Sequence, residues 1–248
     1  MNESQAVDTP QLTADEILAR VLYRDGLMLV IDKPAGLPVH RGPKGGANLE
    51  ASFDALRFGL PRPPVLAHRL DRDTSGCLVL GRHRKATASL GLLFKHGRIS
   101  KTYWAVVEGG PADDAGTIDM PLGRLNAERG WWQKPDPEGQ TAVTNWIVLG
   151  RCEGYCWLAL EPMTGRTHQL RVHCAAMGWP IVGDNIYGTQ ASSRRLRNEQ
   201  FIPRIGEPGL HLHSREIVIP ISKNKEPVRV TAPPPAHLHE RLAMCAWQ

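Results

Sequence analysis

The dipeptide Asp25-Gly26 separates two apolar runs, Val21-Leu22-Tyr23-Arg24 and Leu27-Met28-Leu29-Val30-Ile31. Asp-Gly suits a tight turn whose twist matches two antiparallel strands. So short a link has no room for a crossover helix, so the two runs must be neighbours in a sheet. Similar signals recur along the chain. Cys77-Leu78-Val79-Leu80 reads as a buried strand, and the alternation of Lys101 to Glu108 puts Tyr103, Ala105 and Val107 on one face. Further strands are expected over 141–149, 155–161, 215–221 and 227–231. Helices are few: a weak one over 49–58, one over 84–96 with Ala88, Leu92 and Leu93 among its apolar positions and Gly97 as its stop, and one from Leu170 to Met177 ended by Gly178. This pattern predicts an α+β fold, a mainly antiparallel sheet flanked by helices and loops. Residues 1–18 read as a loose tail, with a short helix from Thr13, and residues 19–248 as one domain; a polar loop covers about 188–208.

A chain of 248 residues can bury a substantial core. Its 30 Lys and Arg against 25 Asp and Glu leave a charge of +5, which suits a polyanionic partner without requiring one. Cys77, Cys152, Cys156, Cys174 and Cys245 form an odd set with no Cys-x-x-Cys, which points to reduced thiols in a cytosolic protein. Cys152 and Cys156 could supply half a zinc site, but no second pair stands at matching spacing. The first residues lack the basic start and apolar stretch of a signal peptide. No window approaches the roughly 18 apolar residues of a membrane span. A soluble, cytoplasmic protein is expected.

Two stretches carry more charge than their apolar flanks explain. In Ala67-His68-Arg69-Leu70-Asp71-Arg72-Asp73-Thr74-Ser75-Gly76, Asp-Thr-Ser-Gly is good turn chemistry, and Arg/Asp neighbours often pair on a surface. From Glu161 to His173, a strand ends at Pro162, a Thr-Gly turn follows, and Thr167 is placed to cap a helix carrying Arg171 and His173. Arginines at a helix N-terminus suit an anion, either a phosphate or a carboxylate. His168 and His173 are five apart, so they do not share the helix face that two zinc ligands need. Trp131-Trp132-Gln133-Lys134 could stack on unpaired bases or pack a hairpin. The basic run Ser193-Arg194-Arg195-Leu196-Arg197 suits either phosphate contact or a solvated surface.

His68 to Gly76, Gly165 to His173 and Pro180 to Gly188 (HRLDRDTSG, GRTHQLRVH and PIVGDNIYG) together resemble the RluA-type family of RNA pseudouridine synthases. Lys101 to Val107 is similar to that family's tyrosine-bearing strand, and Asp32-Lys33-Pro34-Ala35-Gly36 to its first motif. The five motifs occur in order across roughly residues 21–231. The resemblance implies the pseudouridine synthase fold and conversion of uridine in RNA to its C-glycoside isomer, with no cofactor and no metal. It implies Asp71 rather than Asp73 as the catalytic carboxylate. Arg171 would keep that carboxylate ionised, with Arg166 as second candidate. Tyr103 would stack on the uracil and relay the proton lost from C5. Arg69, two residues before Asp71, would fill the space left by the flipped nucleotide. His68, Arg72, Arg166, His168 and Leu170 complete the expected substrate contacts, His68 with a structural role as its stronger reading. His211 and His213 read as packing or RNA-facing groups.

The implied partner is a stem-loop of rRNA or tRNA, not DNA and not a membrane, bound by a monomer. Only about 20 residues precede the first strand, too few for the small S4 domain that several relatives carry. Two other readings stay open. One is a synthase-like module that binds RNA without catalysis. The other is a metal-dependent hydrolase built on Asp71 and Asp73, for which the remaining ligands are missing.

Overall fold

The computed structural model describes residues 11–42, 45–125, 131–189, 209–221 and 225–247. The expected hairpin is the first element pair of its sheet: β1 (Val21–Arg24) runs antiparallel to β2 (Met28–Lys33). The Asp25 carboxylate closes the turn by accepting from the backbone N–H groups of Leu27 and Met28 at 2.7 and 2.8 Å. Strands β3 (Val65–Leu66), β4 (Ser75–Gly81), β5 (Ser100–Glu108), β6 (Ala115–Asp119), β9 (Val143–Cys152), β10 (Tyr155–Pro162), β11 (Leu212–Ile219) and β12 (Val228–Thr231) complete a ten-stranded sheet. Its order is β1-β2-β4-β11-β5-β10-β9-β6, with β3 beside β4 and β12 beside β11. A small separate two-stranded sheet pairs β7 (Leu122–Arg124) antiparallel with β8 (Gln133–Pro135).

Among the described residues one junction is parallel, that of β4 with β11. There Gly76 has φ +101°, and a Cβ on it would lie 2.3 Å from the Ser214 carbonyl oxygen. The glycine that closes the first charged stretch is therefore required by strand contact. The sheet is mixed and mostly antiparallel, as the strand and hairpin signals predict.

The sheet buries both faces. On one, Leu29, Ile31, Leu78, Leu80, Tyr103, Ala105 and Val107 meet a 3-10 helix (Leu49–Leu56) and α3 (Gln169–Ala176). On the other, Met28, Val30, Cys77 and Val79 meet α2 (Arg84–Lys95), while Val106 and Trp157 meet the last helix, α4 (Ala236–Met244). The run Cys77 to Leu80 is apolar throughout because β4 is covered on both sides.

Several expectations are corrected. The short helix expected from Thr13 is α1 (Ala14–Leu18), capped by Thr13 and Glu16, but its Ile17 is fully buried, so the loose tail does not extend to residue 18. That burial contributes about 2 kcal/mol, which a loose segment forgoes. Helix α2 packs through Ala86 and Leu90, leaving Ala88 and Leu92 exposed. Its stop is as expected, Gly97 at φ +62°. The weak helix over 49–58 is of the 3-10 type. Of the two readings of Trp131 to Lys134, strand pairing is present, with Gln133 and Lys134 in β8 against β7, and α4 is an element the sequence patterns did not disclose. His211 and His213 are packing groups, not RNA-facing ones. His213 is fully buried between Ser75 Oγ (2.9 Å) and the Ala232 carbonyl, and His211 is nearly so. The basic run 193–197 and most of the 188–208 loop lie outside the described residues.

Cys152 Sγ lies 3.1 Å from Cys245 Sγ, and Cys156 is buried. Among the described residues no three His, Cys, Asp or Glu side chains gather to hold a metal ion. None of the described helices is long and apolar enough to cross a membrane.

Candidate active site

Three elements far apart in sequence open onto one cleft of about 730 Å³: the loop before β4, strand β5, and the loop leading into α3. Its lining includes Arg69, Asp71, Tyr103, Arg166, His168 and Arg171. The topology explains the convergence. β4 and β5 both pair with β11, so the end of the Asp71 loop and the Tyr103 face of β5 are brought to one side of the sheet.

The Asp71 loop is held from below. Lys33, fully buried, donates from Nζ to the carbonyls of Pro34, Leu37 and Arg72, each at 2.8 Å. Gly36 N–H donates to the Arg72 carbonyl and Arg72 Nε to the Gly36 carbonyl, both at 3.0 Å. The Asp-Lys-Pro-Ala-Gly segment is thus a brace behind the first charged stretch. Arg72 donates to that brace and is not among the residues lining the cleft.

Asp71 is partly exposed. Its Oδ2 faces two nitrogens, His168 Nε2 at 3.8 Å and Arg171 Nη1 at 4.0 Å. Arg171 is 2% exposed and held elsewhere. Its Nε and Nη2 donate to the two carboxylate oxygens of Asp184, both at 2.8 Å. Burial alone would lower the Arg171 pKa; the hydrogen bonds and charge of Asp184, with Asp71 and Asp73 beyond, reverse this and raise it. Burial likewise opposes ionisation of Asp184, and Arg171 with the Tyr187 and Ile186 N–H groups overcomes it, so Asp184 stays below the usual carboxylate range. The anion gripped by this arginine is first of all the protein's own. Asp73, largely buried, has a raised pKa because burial outweighs the nearby cations.

Thr167 does not cap α3. His168 occupies the cap position at φ +54° without a side-chain cap bond. The preceding loop is organised by Gln169, whose Oε1 accepts from Arg166 N–H (3.0 Å) and whose Nε2 donates to the Val143 carbonyl (2.9 Å). His168 Nδ1 lies 2.8 Å from Tyr187 Oη, and the ring meets the edge of Trp131 at 5.5 Å. Burial lowers the His168 pKa to about 4.

The remaining expected residues divide. Tyr103 is buried to 8% exposure, and burial raises its pKa. Leu170 packs in the core at the cleft wall, and Arg69 and Arg166 are exposed at its rim. His68 serves the fold: its Nε2 accepts from Val79 N–H at 3.0 Å and its ring stacks on Phe94 at 4.2 Å. Burial lowers its pKa to about 3. Sequence reasoning passed over Lys33, Asp184 and Tyr187 as individual residues, although each lies in one of the motifs above. The available signal was a lone charge embedded in an apolar run, as in Ile181-Val182-Gly183-Asp184, which demands a buried partner.

The model of the RNA pseudouridylate synthase family matches residues 27–176, and the chain belongs to that family, related to its RluA/RsuA-type members. An uncharacterised RNA pseudouridine synthase of Zymomonas mobilis is 43% identical over 218 residues, covering 87% of this chain and 94% of its own. The ribosomal large subunit pseudouridine synthase D of Xanthomonas campestris is 35% identical over 97% of this chain and 72% of its own. Among solved structures, human RNA pseudouridylate synthase domain containing 4 matches with a TM-score of 0.75 at 26% identity, over 95% of this chain and 96% of that one.

Proposed function

We propose that this chain is an RluA-type synthase that isomerises particular uridines of ribosomal or transfer RNA, with Asp71 as its catalytic residue. The observation that carries the reading is the convergence of Asp71, Tyr103 and Arg171 on one cleft from positions 32 and 68 residues apart in sequence. The reaction breaks the N1–C1′ bond, turns the uracil, joins C5 to C1′ and moves the C5 proton to N1, so atoms balance without a redox partner. A carboxylate can attack or steady the electron-poor carbon this creates. Arg171, kept cationic and aimed by Asp184, lies beside that carboxylate. Tyr103 stands against the uracil and relays the proton. Arg69, exposed at the rim, fills the stack vacated by the flipped nucleotide, whose extrusion costs about a few kcal/mol.

The relative named for the large ribosomal subunit supports rRNA as a substrate class. Five free cysteines support a reducing compartment, the cytoplasm. The test maps pseudouridine in cellular RNA with and without the protein. Loss at one or a few uridines is expected, restored by Asp73→Asn but not by Asp71→Asn. Restoration by Asp71→Asn would defeat the assignment.

A further inference from the structure

Tyr187 Oη receives the backbone N–H of Gln133 at 3.0 Å and lies 2.8 Å from His168 Nδ1. An amide N–H can only donate, so the phenol keeps its own proton for a second partner. Among the described residues His168 Nδ1 is the acceptor within reach of it. Burial keeps the imidazole neutral near pH 7, so it carries one ring proton, and with Nδ1 accepting, that proton is on Nε2. Nε2 is the nitrogen that faces Asp71 Oδ2 at 3.8 Å. Arg171 Nη1 approaches the same oxygen, from 4.0 Å. The backbone of His168 is held at φ +54°, a conformation that costs a non-glycine residue about 1–3 kcal/mol and persists where surrounding contacts impose it.

We propose that His168 is a positioning residue for Asp71. The relay from Gln133 N–H through Tyr187 O–H to His168 Nδ1 sets the tautomer, and the resulting Nε2–H joins Arg171 in holding Oδ2, so that Oδ1 faces the uridine. This rests on Asp71 as the reacting carboxylate and adds which of its oxygens reacts and what orients it. A neutral donor is well suited here, because it steers the carboxylate without adding a second cation to neutralise it.

The tautomer is read directly by 15N NMR of the full chain labelled at histidine, the His168 signals being those lost in His168→Gln. At neutral pH, Nε2 is expected protonated and Nδ1 bare. Tyr187→Phe, which keeps the ring and removes the hydroxyl, should give a tautomer mixture. A wild-type Nδ1–H tautomer, or no change in Tyr187→Phe, overturns the proposal. The kinetic arm measures single-turnover isomerisation at saturating protein on RNA from cells lacking the protein. Tyr187→Phe should be slowed about 10-fold and His168→Asn about 100-fold, with RNA affinity within about twofold of wild type. His168→Gln should retain more rate than His168→Asn, because its longer amide brings an N–H near the Nε2 position. A purely backbone role predicts the reverse, since Asn tolerates positive φ better, and that order would overturn the proposal. A wild type that isomerises nothing while showing the stated tautomer would defeat the functional reading and leave the relay supported.

Discussion

Two buried cations stand by the Asp71 loop, and they are satisfied in opposite ways. Behind the cleft, in the floor that carries the Asp71 loop, Lys33 meets three backbone carbonyls and no carboxylate within hydrogen-bond distance among the described residues. In the wall, Arg171 meets the two oxygens of Asp184. Burial dominates at Lys33 and pulls its pKa down to about 7, whereas at Arg171 the partner wins and the pKa rises. The geometries match the side chains. An ammonium has three separable donors, so Lys33 can tie together two backbone segments that come from opposite ends of a 39-residue separation. A guanidinium is a rigid fork, so a bidentate carboxylate fixes its direction. The floor therefore shapes backbone, and the wall aims a side chain.

The largest test separates aim from stability in the wall. Asp184→Leu should destabilise the chain by about 3–5 kcal/mol, since it strands the Arg171 charge. The pair Arg171→Met with Asp184→Asn should recover most of that loss, the amide oxygen still receiving the Ile186 and Tyr187 N–H groups. Isomerisation should stay down by about 1,000-fold or more in the pair, as no cation then faces Asp71. Denaturant unfolding and single-turnover rates on the same proteins make the comparison. If rate returned with stability, the arginine would only be holding the fold together.

On the floor, Lys33→Met keeps length and bulk and orphans three carbonyls. A loss of about 2–4 kcal/mol is expected in urea unfolding, with a smaller rate loss, about 10-fold, as the Arg72 backbone loosens. A rate loss matching that of Arg171→Met would erase the distinction between the regions.

A third test is acid. His168 in the wall and His213 in β11, beside β4, both have pKa values lowered by burial to about 4. An unfolded histidine binds its proton near pH 6.5, so between that pH and about 4 the unfolded state holds more protons. The contribution of each histidine is thus full above pH 6.5 and is lost as pH falls across this window, by up to about 1.4 kcal/mol per unit. His213→Gln should flatten the profile. A profile unchanged by that substitution would place the acid sensitivity elsewhere.

The smallest effect concerns two arginines three residues apart. Arg72→Ala removes one bond to the Gly36 carbonyl and should cost about 1 kcal/mol or less, with little change in RNA affinity. Arg69→Ala, at the rim, should leave stability unchanged and slow isomerisation in a structured stem-loop more than in a flexible strand, where little stacking is lost. Equal losses on both RNAs would remove the wedge role.

Local rules reached far into this molecule. Asp25-Gly26, the unbroken apolar run of β4, the alternation around Tyr103 and the stops at Gly97 and Gly178 are each decided within a few residues, and each is where sequence reading put it. The same holds for the choice of stretches that form the cleft, since charge inside an apolar run has to be answered by something. What tertiary structure alone decided was the answer. Arg171 takes Asp184, 13 residues on, Arg72 turns to Gly36, 36 residues back, and His168 displaces Thr167 at the helix cap because Gln169 is anchored on β9. Helix α2 turns Ala86 and Leu90 inward because the surface facing it comes from strands elsewhere in the chain. Turn chemistry and periodicity act through bonds and near neighbours, so they are present in the bare sequence. The partner of a buried charge is set by which surfaces lose water together, and that depends on segments that meet only when the sheet has formed.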